Sequence, residues 1–151
     1  MEIRVEGKNK KYASYLRECF SGKFSALSTF LLFKYEYIFF NKNDNSFSLN
    51  MNKIANDSLL HFEIFGKIIS LLGDDPNIEV NSSINRVFIT DKTTLLELNI
   101  RILKEKIVLY TKTLNKIDDI YIKEILQKFI IEERKNLNIL EILQLKNKVN
   151  K

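Results

Sequence analysis

Six polar residues occupy positions where the spacing of the neighbouring apolar residues predicts the buried face of a helix. They are Lys23, Ser58, His61, Tyr110, Glu133 and Asn136. Because burying a polar group is costly unless it is paired, such residues mark a hydrogen-bonded network, a ligand site or the remnant of one. An imidazole and a carboxylate are also common metal ligands. These residues are therefore the candidates for chemistry in this chain.

The helices that must position these residues are visible as four long segments with apolar residues at alternating spacings of three and four. With four Gly and one Pro in 151 residues, the sequence offers few helix breaks. We predict one all-α domain over residues 1–151. Its predicted helices cover about 10–41, 49–73, 92–115 and 119–146. Gly73 followed by Pro76 marks the end of the second, and Asp91 is a plausible N-cap for the third.

The connections predict how these helices are arranged. Residues 41–48 and 116–121 are short polar links, which make antiparallel neighbours of the helices that they join. Residues 74–91 show no helical period and have the length of a crossover connection. The sequence therefore predicts an antiparallel four-helix bundle with one long crossover between helices two and three.

Five stretches of sequence resemble the bacterial rubrerythrin-like branch of the ferritin-like superfamily, over about Tyr12 to Leu143. The stretches are YASYL at 12–16 with SALS at 25–28, HFEIFG at 61–66, LGDDP at 72–76 and YIKEILQKFIIEERKN at 121–136. The resemblance implies a ferritin-like bundle. In such bundles a di-iron or di-manganese site takes one Glu from each of two helices and a Glu-x-x-His pair from each of the other two.

Carried over residue by residue, this resemblance implies that most of the metal ligands are lost. The ligand positions fall on Ala26, Ser58, His61, Leu103, Glu133 and Asn136, so that only His61 and Glu133 keep a ligand side chain. Glu105 lies two residues from Leu103 and therefore on another face of the helix. Ala, Ser and Leu in place of three carboxylates remove the negative charge that two divalent cations require.

The sequence thus predicts a catalytically degenerate ferritin-like protein with a structural or protein-interaction role, and with no catalytic residue and no bound metal or cofactor. His61 and Glu133 are expected to form a hydrogen-bonded pair across the bundle. The alternative is a metal-dependent oxidoreductase that handles peroxide or iron at a reduced site holding one iron, manganese or zinc ion.

Composition limits the partners and the location. The net charge is +5, but Lys residues are interleaved with Glu and Asp in every segment, which is typical of a solvated surface. We do not expect specific nucleic-acid binding; nonspecific binding would appear as salt-dependent retention on DNA. No apolar run is long enough to span a bilayer. Cys19 is the single cysteine and the N-terminus resembles no signal peptide, so we expect a cytoplasmic protein.

Aromatic residues in the stretch FLLFKYEYIFF, residues 30–40, lie around more than one face of the first predicted helix. A four-helix bundle buries only one face of each helix, so the surplus rings predict a second buried surface. We expect a homodimer or a larger homo-oligomer, with the dimer favoured, as the family resemblance also implies.

Overall fold

Helices make up most of the chain that the computed structural model describes, which comprises residues 2–40, 44–78 and 91–149. They are α1 Lys10–Ser21, α2 Ala26–Phe40, α3 Asn45–Leu71, α4 Lys92–Leu114 and α5 Ile120–Val149. These residues contain no strand. The predicted all-α class is confirmed, and none of the described helices is both long and apolar enough to cross a bilayer.

The first predicted helix, 10–41, is divided into α1 and α2, and this is a correction to the sequence prediction. Gly22 has an extended backbone at the end of α1, and a Cβ atom there would lie 2.3 Å from the Glu18 carboxylate. Ser25 then precedes α2 and caps it, since its Oγ accepts a hydrogen bond from the backbone N–H of Ser28 at 3.1 Å. Lys23, predicted to be buried, lies exposed in this break. Both pieces pack against α3 and together form one side of the bundle.

The other helices lie close to their predicted bounds. The helix α3 begins at Asn45 rather than 49, because the Asp44 side chain caps it by accepting from the N–H of Phe47 at 3.0 Å. Its end matches the prediction, with Gly73 at a φ of 90°. Asp91 caps α4 as predicted. The helix α5 extends to Val149, past the predicted 146. Most of the predicted crossover, residues 79–90, lies outside the described residues.

Two apolar clusters fill the bundle. The first contains Ala26, Ile64, Phe65, Tyr110, Phe129 and Ile130 together with buried residues of α1. The second contains Phe33, Met51, Ile54, Ala55, Leu103 and Leu140, among others. On each of α2, α3, α4 and α5, buried polar residues lie in sequence between the members of the two clusters. The fold therefore brings these polar residues to one level near the middle of the bundle.

Candidate functional site

A buried polar layer separates the two apolar clusters. Its members are Thr29 of α2, Ser58 and His61 of α3, Lys106 of α4 and Glu133 of α5. All five side chains are buried. Ser58, His61 and Glu133 were among the six predicted inward-facing polar residues, whereas Thr29 and Lys106 were not. The layer is the candidate site because polar side chains from four helices are buried together there, and burying such groups is costly unless they are paired.

Lys106 lies at the centre of the polar layer. Its Nζ donates to Thr29 Oγ1 at 2.9 Å, to Ser58 Oγ at 2.9 Å and to Glu133 Oε1 at 3.0 Å. An ammonium group has three donors, so these three acceptors satisfy it fully. Thr29 and Ser58 are themselves linked, with their hydroxyl oxygens 3.1 Å apart. Four helices thus converge on one cationic group.

Lys106 and Glu133 form a buried ion pair within the layer. Burial lowers the pKa of Lys106, and the Glu133 carboxylate opposes that change by favouring the ammonium form. Glu133 Oε2 has no hydrogen-bond partner among the described residues, so Oε1 carries the contacts of this carboxylate. Removing one partner of such a buried ion pair strongly destabilises the folded protein, because the other charge then remains unpaired in a low-dielectric interior.

His61 occupies the side of the layer nearest the first apolar cluster. Its ring stacks on Phe129 with the centroids 3.7 Å apart. Its Nε2 lies 2.7 Å from Glu132 Oε2, and its Nδ1 lies 3.3 Å from the Tyr110 hydroxyl. Burial lowers the pKa of His61, and the hydrogen bond to Glu132 opposes this. A neutral ring with Nε2 donating to Glu132 leaves Nδ1 to accept from Tyr110, so both ring nitrogens are engaged.

His61 and Glu133, predicted to form a hydrogen-bonded pair, lie next to each other without a short hydrogen bond between them. Their closest atoms, Nδ1 and Oε1, lie 3.5 Å apart, and the short hydrogen bond of His61 goes to Glu132 instead. Glu132 is about one third exposed, so it connects the buried ring to the surface. Glu132 precedes Glu133 by one residue, so the apolar spacing of α5 predicts that it lies off the buried face.

The remaining predicted positions lie outside the polar layer. Ala26 is buried in the first apolar cluster and Leu103 in the second, each one turn from the residue that reaches the layer. Asn136 is buried, but its side chain donates to Asp57 at 3.1 Å and accepts from Lys53 at 2.7 Å, on the flank of the bundle. Of the six positions, the structure brings together Ser58, His61 and Glu133.

One signal in the sequence could have located Lys106. Leu103, Lys106 and Tyr110 follow the same three-then-four spacing as the other buried positions of α4. The spacing of apolar residues alone favours Ile107 at this position, because lysine normally remains in water. In the structure Ile107 is half-buried and Lys106 is buried.

The residues of the polar layer do not fit a pair of divalent cations. Among the described residues there is no group of three or more His, Cys, Asp or Glu side chains placed to hold a metal ion. The centre of the layer contains an ammonium group 3.0 Å from the Glu133 carboxylate, which would repel a cation bound there. The two hydroxyls beside it are neutral and donate or accept hydrogen bonds within the layer.

The helices pack as a bundle around a central buried polar layer, as in the ferritin-like four-helix bundle, and the chain has this fold. Solved structures confirm it. A bacterioferritin from Desulfovibrio desulfuricans, described with its diiron site, superposes with a TM-score of 0.79 at 20% identity, covering 91% of this chain and 80% of that one. The manganese catalase KatB from Anabaena superposes with a TM-score of 0.80 at 19% identity, covering 93% and 74%.

Sequence comparison adds no closer relative. No protein-family model matches the chain, and no curated protein matches it. At these identities the structural likeness defines the fold, and the chemistry of the polar layer has to be argued from its own residues.

Proposed function

We propose that this protein is a catalytically degenerate ferritin-like bundle whose role is structural or in binding another protein. The observation that carries the proposal is the Lys106 ammonium at the centre of the polar layer, bonded to Glu133, Ser58 and Thr29. In bundles that hold two metal ions, carboxylates from several helices surround the cations at mid-bundle level. Here a side chain of the protein itself supplies positive charge at that level.

The burial of the layer supports the same proposal. None of its five side chains is exposed, and each bonds to another member or to a residue directly beside it. A site for oxygen or peroxide chemistry needs an open coordination position and a path for the substrate. A closed layer whose five side chains bond to one another or to adjacent residues instead fixes the relative position of four helices, which suits a structural role.

Metal content tests this proposal against the reduced-site oxidoreductase. The protein is purified without chelators, dialysed separately against iron, manganese and zinc, and measured by mass spectrometry. We expect less than about a tenth of an equivalent of metal per chain, since the site lacks the ligands that a bound ion requires. Retention of about one equivalent that disappears in both His61→Ala and Glu133→Ala would overturn the proposal and establish a reduced metal site.

We also propose that the protein forms a homodimer through the outer side of α2. Large apolar side chains are exposed along this helix, with Leu31, Ile38 and Phe39 exposed by 46%, 67% and 44%. The two charged residues of α2 leave that side uncharged, because Glu36 is buried and Lys34 donates to Asn52 and Asn56 of α3. A helix that is apolar all round is normally covered, and a second copy offers the same apolar side in return.

A cytoplasmic location completes the proposal. It is supported by Cys19, the single cysteine of the chain, which is buried as a free thiol beside Thr113.

A further inference from the structure

A second buried polar pair, Glu36 and Asn99, lies in the half of the bundle occupied by the second apolar cluster. Glu36 is 1% exposed and Asn99 is fully buried. The side-chain amide of Asn99 donates through Nδ2 to Glu36 Oε1 at 2.6 Å. Glu36 follows Phe33 by three residues and precedes Phe40 by four, so it lies on the buried side of α2 among residues of that cluster.

Among the residues that the structure describes, no charged side chain contacts this pair. Asn99 approaches it from α4, and from α3 the Met51 sulfur lies 3.7 Å from Asn99 Nδ2. From α5 the cluster receives Leu140, which is apolar. Burial raises the pKa of Glu36 to about 8, the hydrogen bond from Asn99 opposes the rise, and no charged side chain contributes. Glu36 and Asn99 thus form an isolated acid and amide in an apolar interior.

Each residue of the pair has one buried oxygen atom without a hydrogen-bond partner among the described residues. Among the described residues, Glu36 Oε2 and Asn99 Oδ1 are buried without any hydrogen bond. Both are acceptors when Glu36 is ionised, so neither can satisfy the other. A proton on Oε2 makes that oxygen a donor, and the unpartnered acceptor of the neighbouring amide can receive it. One proton therefore removes two buried unsatisfied atoms and one uncompensated buried charge.

We propose that Glu36 is a neutral carboxylic acid in the folded protein and forms a reciprocal acid–amide pair with Asn99, which makes the packing of α2 sensitive to alkaline pH. The carboxyl group donates to Asn99 Oδ1 while it accepts from Asn99 Nδ2. Loss of the proton leaves a buried carboxylate beside an amide oxygen. The packing of α2 against α3 and α4 weakens as a result, at the end of the helix where Ile38 and Phe39 are exposed.

The direction of the pH effect follows from proton linkage. Because the pKa of Glu36 is raised in the folded state, the folded protein holds a proton that the unfolded chain releases. The stabilisation is fully present below the ordinary pKa of a glutamate and is lost as pH rises toward about 8. Each pH unit in this interval multiplies the unfolding equilibrium constant by about ten.

Glu36→Gln is the decisive variant, since glutamine has the shape of the protonated acid and can both donate to and accept from Asn99. Urea unfolding is measured for the wild type and for Glu36→Gln from about pH 6 to about pH 8, with the exposed Glu97→Gln on α4 as the matched control. We expect the unfolding constant of the wild type to rise about tenfold per pH unit relative to Glu36→Gln. Glu97→Gln should follow the wild type.

Infrared spectroscopy of the folded wild type gives a readout that does not depend on how the variant folds. We expect a protonated-carboxyl band near neutral pH that shifts in heavy water, is absent from Glu36→Gln and disappears at alkaline pH. Absence of this band from the wild type at neutral pH would overturn the proposal. Equal pH slopes in the wild type and Glu36→Gln would also overturn it, since a carboxylate that binds a cation or an ordered water predicts that result.

Discussion

The Nζ atom of Lys106 lies 3.0 Å from Oε1 of Glu133, at a level of the bundle where neither side chain is exposed. Glu133 is one of two positions where the family resemblance keeps a metal-ligand side chain, and its nearest cation is a lysine of the same chain. The cationic partner of the Glu133 carboxylate is therefore a side chain of the protein itself. This relationship makes the structural role of the layer testable by substitution.

Replacing Lys106 with methionine should destabilise the protein by about 3–5 kcal/mol, because the Glu133 carboxylate then remains buried without a cation. The double variant Lys106→Met/Glu133→Leu removes both charges and should recover most of that loss. Urea unfolding followed by circular dichroism measures both effects. Lys104→Met, at an exposed position on the same helix, is the matched control and should change stability by less than about 0.5 kcal/mol. A double variant no more stable than Lys106→Met would show that the ion pair is not the source of the loss.

The protonation of His61 should destabilise the folded protein. Since burial lowers its pKa, the unfolded chain takes up a proton before the folded one does. His61→Gln keeps a donor for Glu132 and cannot titrate in this range, so it isolates the contribution of the histidine. The free energy of unfolding of the wild type should decrease relative to that of His61→Gln as pH falls below about 6.5, the ordinary value for histidine. The chain has one histidine, so its ring signal in NMR reports this pKa directly; a midpoint above 6.5 would contradict the expectation.

Cys19 should resist thiol reagents while the protein is folded. Burial raises the pKa of its thiol to about 12, and the sulfur lies 3.3 Å from the Thr113 hydroxyl. Reaction with a chromogenic disulfide should be slower than in urea by on the order of a thousandfold. The control is Ser14→Cys in a Cys19→Ala background, which places a thiol on the exposed side of the same helix. Equal rates at the two positions would mean that α1 opens freely.

The proposed dimer should depend on the outer side of α2. Ile38→Asp introduces a charge at a residue that is 67% exposed, so the fold should survive while association is lost. Val108→Asp, at an exposed apolar residue of α4, is the matched control and should leave the dimer intact. Sedimentation equilibrium measures the mass of each. A wild-type monomer at all accessible concentrations would contradict the proposal, as would an Ile38→Asp variant that remains dimeric.

The bundle itself was predictable from the sequence, because the three-then-four spacing of apolar residues is a property of each helix alone. The spacing carried across Gly22 to Ser25 without a change of phase, so it gave no sign that α1 and α2 are separate. At the break, the Glu18 side chain lies so close that a Cβ atom at position 22 would collide with it. A contact of that kind follows from local three-dimensional geometry, and periodicity does not report it.

For the polar layer, too, some features follow from the sequence and others only from the tertiary structure. The sequence by itself determined that His61 and Glu133 are inward-facing polar residues in an otherwise apolar interior. The family resemblance added the expectation that most carboxylates of a two-metal site are missing. Only the tertiary structure decided that Lys106 is buried and that Glu132 bonds to His61. The physical reason is that a lysine leaves water only where enough acceptors surround it. Thr29, Ser58 and Glu133 come from three other helices, and their meeting depends on the axial register of the whole bundle.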